Sequence, residues 1–184
     1  AVVNAALALL GAGRITSFSD TAILDGNLAS IYDATVAAQL ASYPWRFTLR
    51  KVQLSRLSEA PANEWTYQHS LPPDMLVLRA LFPSATARSD DVVRDYEVFE
   101  QNVLSDQTEL WADYQVAIAP ERWPPLFAKL VHHALASDLA QPVSGSSSLA
   151  EEHMLKAFGT PAERGTGGFT GMARRADAQQ QPPQ

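Results

Sequence analysis

Tyr43-Pro44-Trp45-Arg46-Phe47-Thr48-Leu49-Arg50 is the stretch where the chain changes period. Upstream of it, Leu24, Leu28, Ile31, Tyr32, Val36 and Leu40 recur at three- and four-residue steps. That spacing predicts one apolar face of a helix running from Asp20 to about Tyr43. Ser19 is its expected N-cap, Asp20 suits the positive helix end, and Gly26 weakens the first turns. Pro44 ends the helix, because the residue before a proline avoids the α region. Beyond it Trp45, Phe47 and Leu49 alternate with Arg46, Thr48 and Arg50, which is strand spacing.

Downstream the β character persists. Val52, Leu54 and Leu57 either continue the strand with a slip or belong to a helical turn, and Ala60-Pro61-Ala62-Asn63 is a loop. Trp65-Thr66-Tyr67-Gln68-His69 is β-prone, and Leu71-Pro72-Pro73-Asp74 breaks any ladder because proline has no amide donor. Met75 to Phe82 is an apolar run of strand length, and Tyr96 to Glu100 and Leu110 to Ala119 are expected strands. Asn102 and the Ser105-Asp106-Gln107 stretch are expected turns.

Helix returns after Pro120. Pro124 and Pro125 suit a helix start, where a missing amide hydrogen costs little. Leu126, Phe127, Leu130, Val131, Ala134, Leu135 and Leu139 form an apolar face up to Pro142. Ser148 and Glu151 have capping-box spacing for a helix from Leu149 to Phe158. At the other end, Val2 to Leu10 reads as a short helix ended by Gly11, with Gly13 as a turn residue. The expected class is α+β, mainly α: a helical bundle with a small antiparallel β-rich insertion and an extended C-terminal arm. Helices within 2–43 and 124–158 flank an insertion of about 45–119 in a single domain, 1–158, and the arm is 159–184.

The 184 residues are 46% hydrophobic and suffice for one domain, burying roughly 70% of the unfolded surface. There is no cysteine, so disulfide and Cys-zinc scaffolds are closed. No apolar run approaches the ~18 residues of a membrane span, the first residues lack a signal peptide's positive region, and Ala1 reads as following a removed initiator Met. The net charge of −6 argues against a general nucleic-acid binder. Its distribution is uneven: residues 89–121 carry Arg94 alone against nine acids, while the rest of the chain is near neutral. Those acids are Asp90, Asp91, Asp95, Glu97, Glu100, Asp106, Glu109, Asp113 and Glu121.

Candidate chemistry is sparse. His132-His133 with Asp138 comes nearest to a hydrolase constellation, but adjacent histidines on a helix point about 100° apart and cannot share one metal. No H-E-x-x-H or G-x-S-x-G motif occurs. Helix-surface or interface histidines are the better reading, and His153 beside Glu151 and Glu152 reads as a solvated first-turn residue. The Gly165–Gly171 run lacks the Lys-Ser/Thr ending of a phosphate loop and reads as a flexible hinge. The acids lack a D-x-D-x-D-G calcium loop, so a solvated face is their default. Trp45, Trp65, Trp111 and Trp123 sit at element boundaries as core plugs or interface anchors. Neither a catalytic residue nor a metal or cofactor ligand is expected.

Taken in order, several pieces form a recognisable series. Tyr32-Asp33, Leu40 and Pro44-Trp45-Arg46-Phe47 are followed by Leu54-Ser55-Arg56-Leu57, then Trp65-Thr66-Tyr67 through Leu71-Pro72-Pro73-Asp74. Trp123-Pro124-Pro125-Leu126-Phe127 opens a helix ending in Leu139-Ala140-Gln141-Pro142-Val143-Ser144-Gly145-Ser146, and Ala173-Arg174-Arg175-Ala176-Asp177-Ala178 stands near the end. Over nearly its whole length the chain resembles the tail tubular protein A family, the head–tail adaptors of tailed bacteriophages and related particles. It departs at 159–171, where a Gly-rich run interrupts the expected terminal helix.

The resemblance implies a structural virion protein without catalytic residues, present in the host cytoplasm during assembly. Twelve copies would form a homo-oligomeric ring between the portal and the next tail or stopper protein. Double-stranded DNA would pass through the lumen without specific binding, and no membrane is involved. The C-terminal arm, too polar to order itself, would order on the portal, with Phe169 and Met172 as apolar anchors and Arg174 and Arg175 as charged ones. Asp90, Asp91, Asp95, Glu97, Glu100, Asp106, Glu109 and Asp113 would face either the lumen, repelling phosphates, or the tail-facing surface, pairing with a basic partner. The alternatives are a small particle-associated cell-wall hydrolase and a cytoplasmic protein-interaction module.

Overall fold

A computed structural model describes residues 1–18, 27–163 and 165–180. Among the described residues, five helices and two antiparallel sheets make the fold α+β, mainly α. Contacts divide the chain into a helical unit, Ala1–Tyr43 with Ile118–Gln184, and an insertion, Pro44–Ala117.

The helical unit is organised around one long helix. Its elements are α1 (Val2–Leu9), α2 (Leu28–Ala41), α3 (Pro125–Ser144), α4 (Ser147–Phe158) and α5 (Gly168–Ala178). α3 touches all four of the others. Its apolar stripe explains why: Leu130, Val131, Leu135, Ala136, Leu139 and Ala140 are almost wholly buried. Each fully buried leucine contributes roughly 1.5–3 kcal/mol. α1 adds Val2, Val3, Ala6 and Leu7. The chain after α1 is fixed by Asn4, whose Nδ2 donates to the Ile15 carbonyl (3.0 Å) and whose Oδ1 accepts from the Ile15 amide (2.9 Å). Trp123 plugs the start of α3, with Nε1 donating to the Ile118 carbonyl (2.7 Å) and its ring edge-on to Phe127. Thr35 of α2 donates to Asp138 of α3.

Several sequence expectations shift here. Ser19, Asp20, Leu24 and Gly26 lie outside the described residues. α3 runs past Pro142 to Ser144 before Gly145 (φ 66°) ends it; in the last turn the proline loses one backbone bond without breaking the helix. The α4 cap is Ser146 and not Ser148: the Ser146 hydroxyl accepts from the Leu149 amide (3.2 Å). The largest correction concerns the extended arm. Residues 168–178 form α5, which packs against α3 and α4. The Gly-rich run is accordingly a tight reversal and not a hinge. Gly168 has φ 54°, and a Cβ there would sit 2.6 Å from the Lys156 carbonyl oxygen. A Cβ at Gly171 would run into the Thr166 carbonyl. Close backbone approach, and not mobility, is what these glycines supply.

In the insertion the strands are β1 (Leu49–Gln53), β2 (Ser55–Arg56), β3 (Tyr67–Ser70), β4 (Met75–Phe82), β5 (Glu97–Phe99), β6 (Asn102–Ser105) and β7 (Trp111–Val116). They form a three-stranded sheet in the order β1-β7-β4 and a four-stranded sheet in the order β2-β3-β6-β5. The chain passes between sheets at Leu54, at the Leu71–Asp74 break, in the loop 83–96 and at the turn after Ser105. Residues 46–48 are a 3-10 turn where alternation suggested strand. A buried polar chain fixes that turn. The Thr48 hydroxyl donates to the Trp45 carbonyl (2.6 Å) and accepts from Gln115 Nε2 (2.6 Å), and Gln115 Oε1 accepts from Arg79 Nε. Thr48 and Gln115 are fully buried, so these bonds are obligatory there. Asn102, expected in a turn, opens β6; the turn is Glu100-Gln101.

Candidate functional site

Three features carry the chain's chemistry: the α5 surface, the acidic segment and a histidine cluster in the helical unit.

α5 uses two of the four expected anchors internally. Phe169 stacks on the His133 ring (centroids 5.0 Å, 12° between planes), with Lys129 Nζ 5.6 Å from the same ring. The Arg174 guanidinium lies 5.2 Å from the Tyr43 ring. The Thr170 hydroxyl donates to the Ala157 carbonyl (2.9 Å), and Ala173 and Asp177 are buried. Met172 and Arg175 remain exposed, and three residues apart they share one helix face.

The histidine cluster was not legible as a cluster. His153 is 3% exposed, contrary to the solvated position expected of it. Because α4 starts at Ser147, His153 falls mid-helix, facing α3. Its Nδ1 lies 3.1 Å from His133 Nδ1, and one must donate to the other. His153 Nε2 is buried without a partner. A protonated orphan nitrogen costs more than an orphan lone pair, so the favoured arrangement has His153 donating from Nδ1. His133 is pushed down to about 4 by burial first, then by His153, Lys156, His132 and Lys129. Glu152, exposed and bonded to Lys156, stands on the same helix. The hydrolase constellation does not assemble: Asp138 is bonded to Thr35, and His133 to His153. Among the described residues no three His, Asp or Glu side chains form a metal-holding group.

The acids of 89–113 all lie in the insertion, on the loop after β4 and on β5 to β7. Asp90, Asp91, Asp95, Glu97, Glu100, Asp106 and Glu109 are exposed, and Asp113 is half-buried opposite Lys51 (3.9 Å). Some of them shape the fold. Asp106 Oδ1 accepts from the Thr66 hydroxyl and amide (2.6 and 2.9 Å), which holds its carboxyl below the usual range. Asp91 accepts from the Arg88 amide (3.0 Å), and Glu97 from Trp65 Nε1 (3.2 Å). Of the four tryptophans, Trp45 and Trp123 are core plugs, whereas Trp65 and Trp111 are half-buried.

Sequence reasoning missed the exposed apolar residues of the insertion. Val98 and Phe99 on β5 are 48% and 58% exposed, and Leu49 and Leu57 are 39% and 38% exposed. The signal was present: a three-residue strand cannot hide both faces, and Val98-Phe99 stand between Glu97 and Glu100. No protein-family model matches the chain and no curated protein matches it, so the functional reading rests on fold, charge and the ordered sequence landmarks.

Proposed function

We propose that this chain is a head–tail adaptor of a tailed phage or related particle. About a dozen copies form a ring that joins the portal to the next tail or stopper protein and surrounds the DNA path. The observation carrying this reading is the agreement between landmark order and architecture. The Pro44-Trp45-Arg46-Phe47 landmark opens the insertion, and Trp123-Pro124-Pro125 stands just beyond its end, at the start of α3. The acidic segment then belongs to the insertion and the Ala-Arg landmark to α5, so tail-side and portal-side chemistry occupy different elements.

On this reading α5 presents Met172 and Arg175 to the portal, while Phe169 and Arg174 hold the helix on its own subunit. The exposed carboxylates of the loop after β4, Asp90, Asp91 and Asp95, keep DNA phosphates from adhering if they face the lumen, or recruit a basic partner if they face the tail. The test is electron microscopy of the purified chain with its portal. A closed ring on the portal supports the adaptor, and a lone monomer with glycan-hydrolysing activity favours the enzyme alternative.

A further inference from the structure

The outer strands of the insertion carry opposite charge. β5 is one edge of the four-stranded sheet, with Glu97 on the strand and Glu100 at the hairpin tip. The run 49–56 is the edge of both sheets, as β1 in one and β2 in the other. It carries Arg50, Lys51 and Arg56 and no acid. Each edge is also apolar: Val98 and Phe99 on one, Leu49 and Leu57 at the ends of the other, all exposed. β5 is blunted only by its shortness and by Glu97, with neither lysine nor proline on it. Its tip holds an anomaly. Glu100 has φ 52°, a left-handed conformation that costs a non-glycine residue about 1–2 kcal/mol. A glycine or asparagine would relax the turn, so the tip keeps a carboxylate against local preference.

We infer that a second copy of this chain covers β5, its acidic edge docking along the basic 49–57 edge of the neighbour. Two β5 edges are poor partners for each other, because their contact would gather Glu97 and Glu100 of both copies with no cation on either strand. The contact is therefore heterologous, each copy offering a different edge to each neighbour, which gives a ring when the rotation closes. Arg50 is held by Asp74 (2.9 Å) in an exposed pair, and Arg56 lies over the Tyr67 ring (5.1 Å). Both are surface contacts of small net worth that a neighbour's carboxylate can share. Lys51, on the Phe82 ring (4.2 Å) and opposite Asp113, stays with its own subunit. The inference deepens the ring reading by assigning the contact between subunits, and it rests on that reading only for closure.

The chain has no cysteine, so cross-links report only introduced pairs. The full-length chain carrying Phe99→Cys with Leu57→Cys, or Phe99→Cys with Leu49→Cys, is oxidised and run denatured. A ladder beyond dimer is expected from at least one double variant, and nothing beyond dimer from any single variant. In parallel, Glu97→Arg with Glu100→Arg should dissociate the assembly by native mass, and adding Arg50→Glu with Arg56→Glu should restore it. Circular dichroism checks that each variant is folded. Cross-links that stop at dimer, or an assembly that survives charge reversal in a folded chain, overturn the edge contact even if wild-type rings form on the portal. A ladder without a closed ring upholds the edge contact while the ring reading fails.

Discussion

Acidification from pH 7 to about 4.5 loosens the helical unit through His133. The ring sits against His153 of α4 and Phe169 of α5, and its pKa falls from the ordinary 6.5 to about 4. The unfolded chain therefore binds a proton that the folded chain refuses across that window. The stabilisation is fully present above about pH 6.5 and is lost as pH falls toward 4. At full burial the displacement corresponds to roughly 3 kcal/mol. The half-buried ring is partly screened by solvent, so the expected loss is about 1–2 kcal/mol, a fall in Tm on the order of 5 °C. His132 and His69 are also lowered, burial being the first cause in each, and they add to the slope. The assay is thermal unfolding followed at 222 nm at half-unit steps of pH. His133→Gln should flatten the profile between pH 6.5 and 4.5 relative to wild type. A His133→Gln profile parallel to wild type would refute the coupling of this ring to the α3–α4–α5 packing.

Other consequences are more local. Gly171→Ala forces a Cβ into the Thr166 carbonyl and should destabilise the helical unit by about 2–3 kcal/mol, read as a lower urea midpoint. Ser146→Ala should cost about 1 kcal/mol and Ser148→Ala only a few tenths, since Ser146 alone caps α4; equal losses would restore the Ser148 cap. Met172→Glu with Arg175→Glu should leave Tm unchanged and abolish capture of the portal in a pull-down, and retained capture would remove α5 as the docking element. Reversing Asp90, Asp91 and Asp95 to lysine separates the two placements of the acidic segment. Slower DNA ejection with normal tail attachment places it at the lumen, and lost attachment with normal ejection places it on the tail side.

The helices were legible where apolar residues kept a strict period. Leu130, Val131, Ala134, Leu135 and Leu139 announce α3, and its burial follows their spacing. Met75 to Phe82 was equally plain as β4. What failed had local chemistry pointing one way and tertiary context another. Trp45, Phe47 and Leu49 alternate, yet Thr48 turns its hydroxyl back on Trp45 and bends the chain into a 3-10 turn before the strand. Asn102 is a turn former by propensity, yet pairing with Phe99 draws it into β6. Gly165 to Gly171 reads as slack because composition cannot show that other backbone lies against Gly168 and Gly171. Phe169 and Arg174, singled out for a partner, found His133 and Tyr43 on their own chain, a contact no spacing along the sequence encodes. His153 was misplaced because its helix begins two residues earlier than the capping-box pattern suggests.

On the proposed reading, copies of this chain close into a ring at the portal. Electron microscopy of the full-length chain bound to its portal, with native mass of the same sample, tests it most directly. A closed ring of about a dozen copies around an open lumen is expected. A portal that binds single copies, or that leaves the chain free in solution at assembly concentrations, would contradict it.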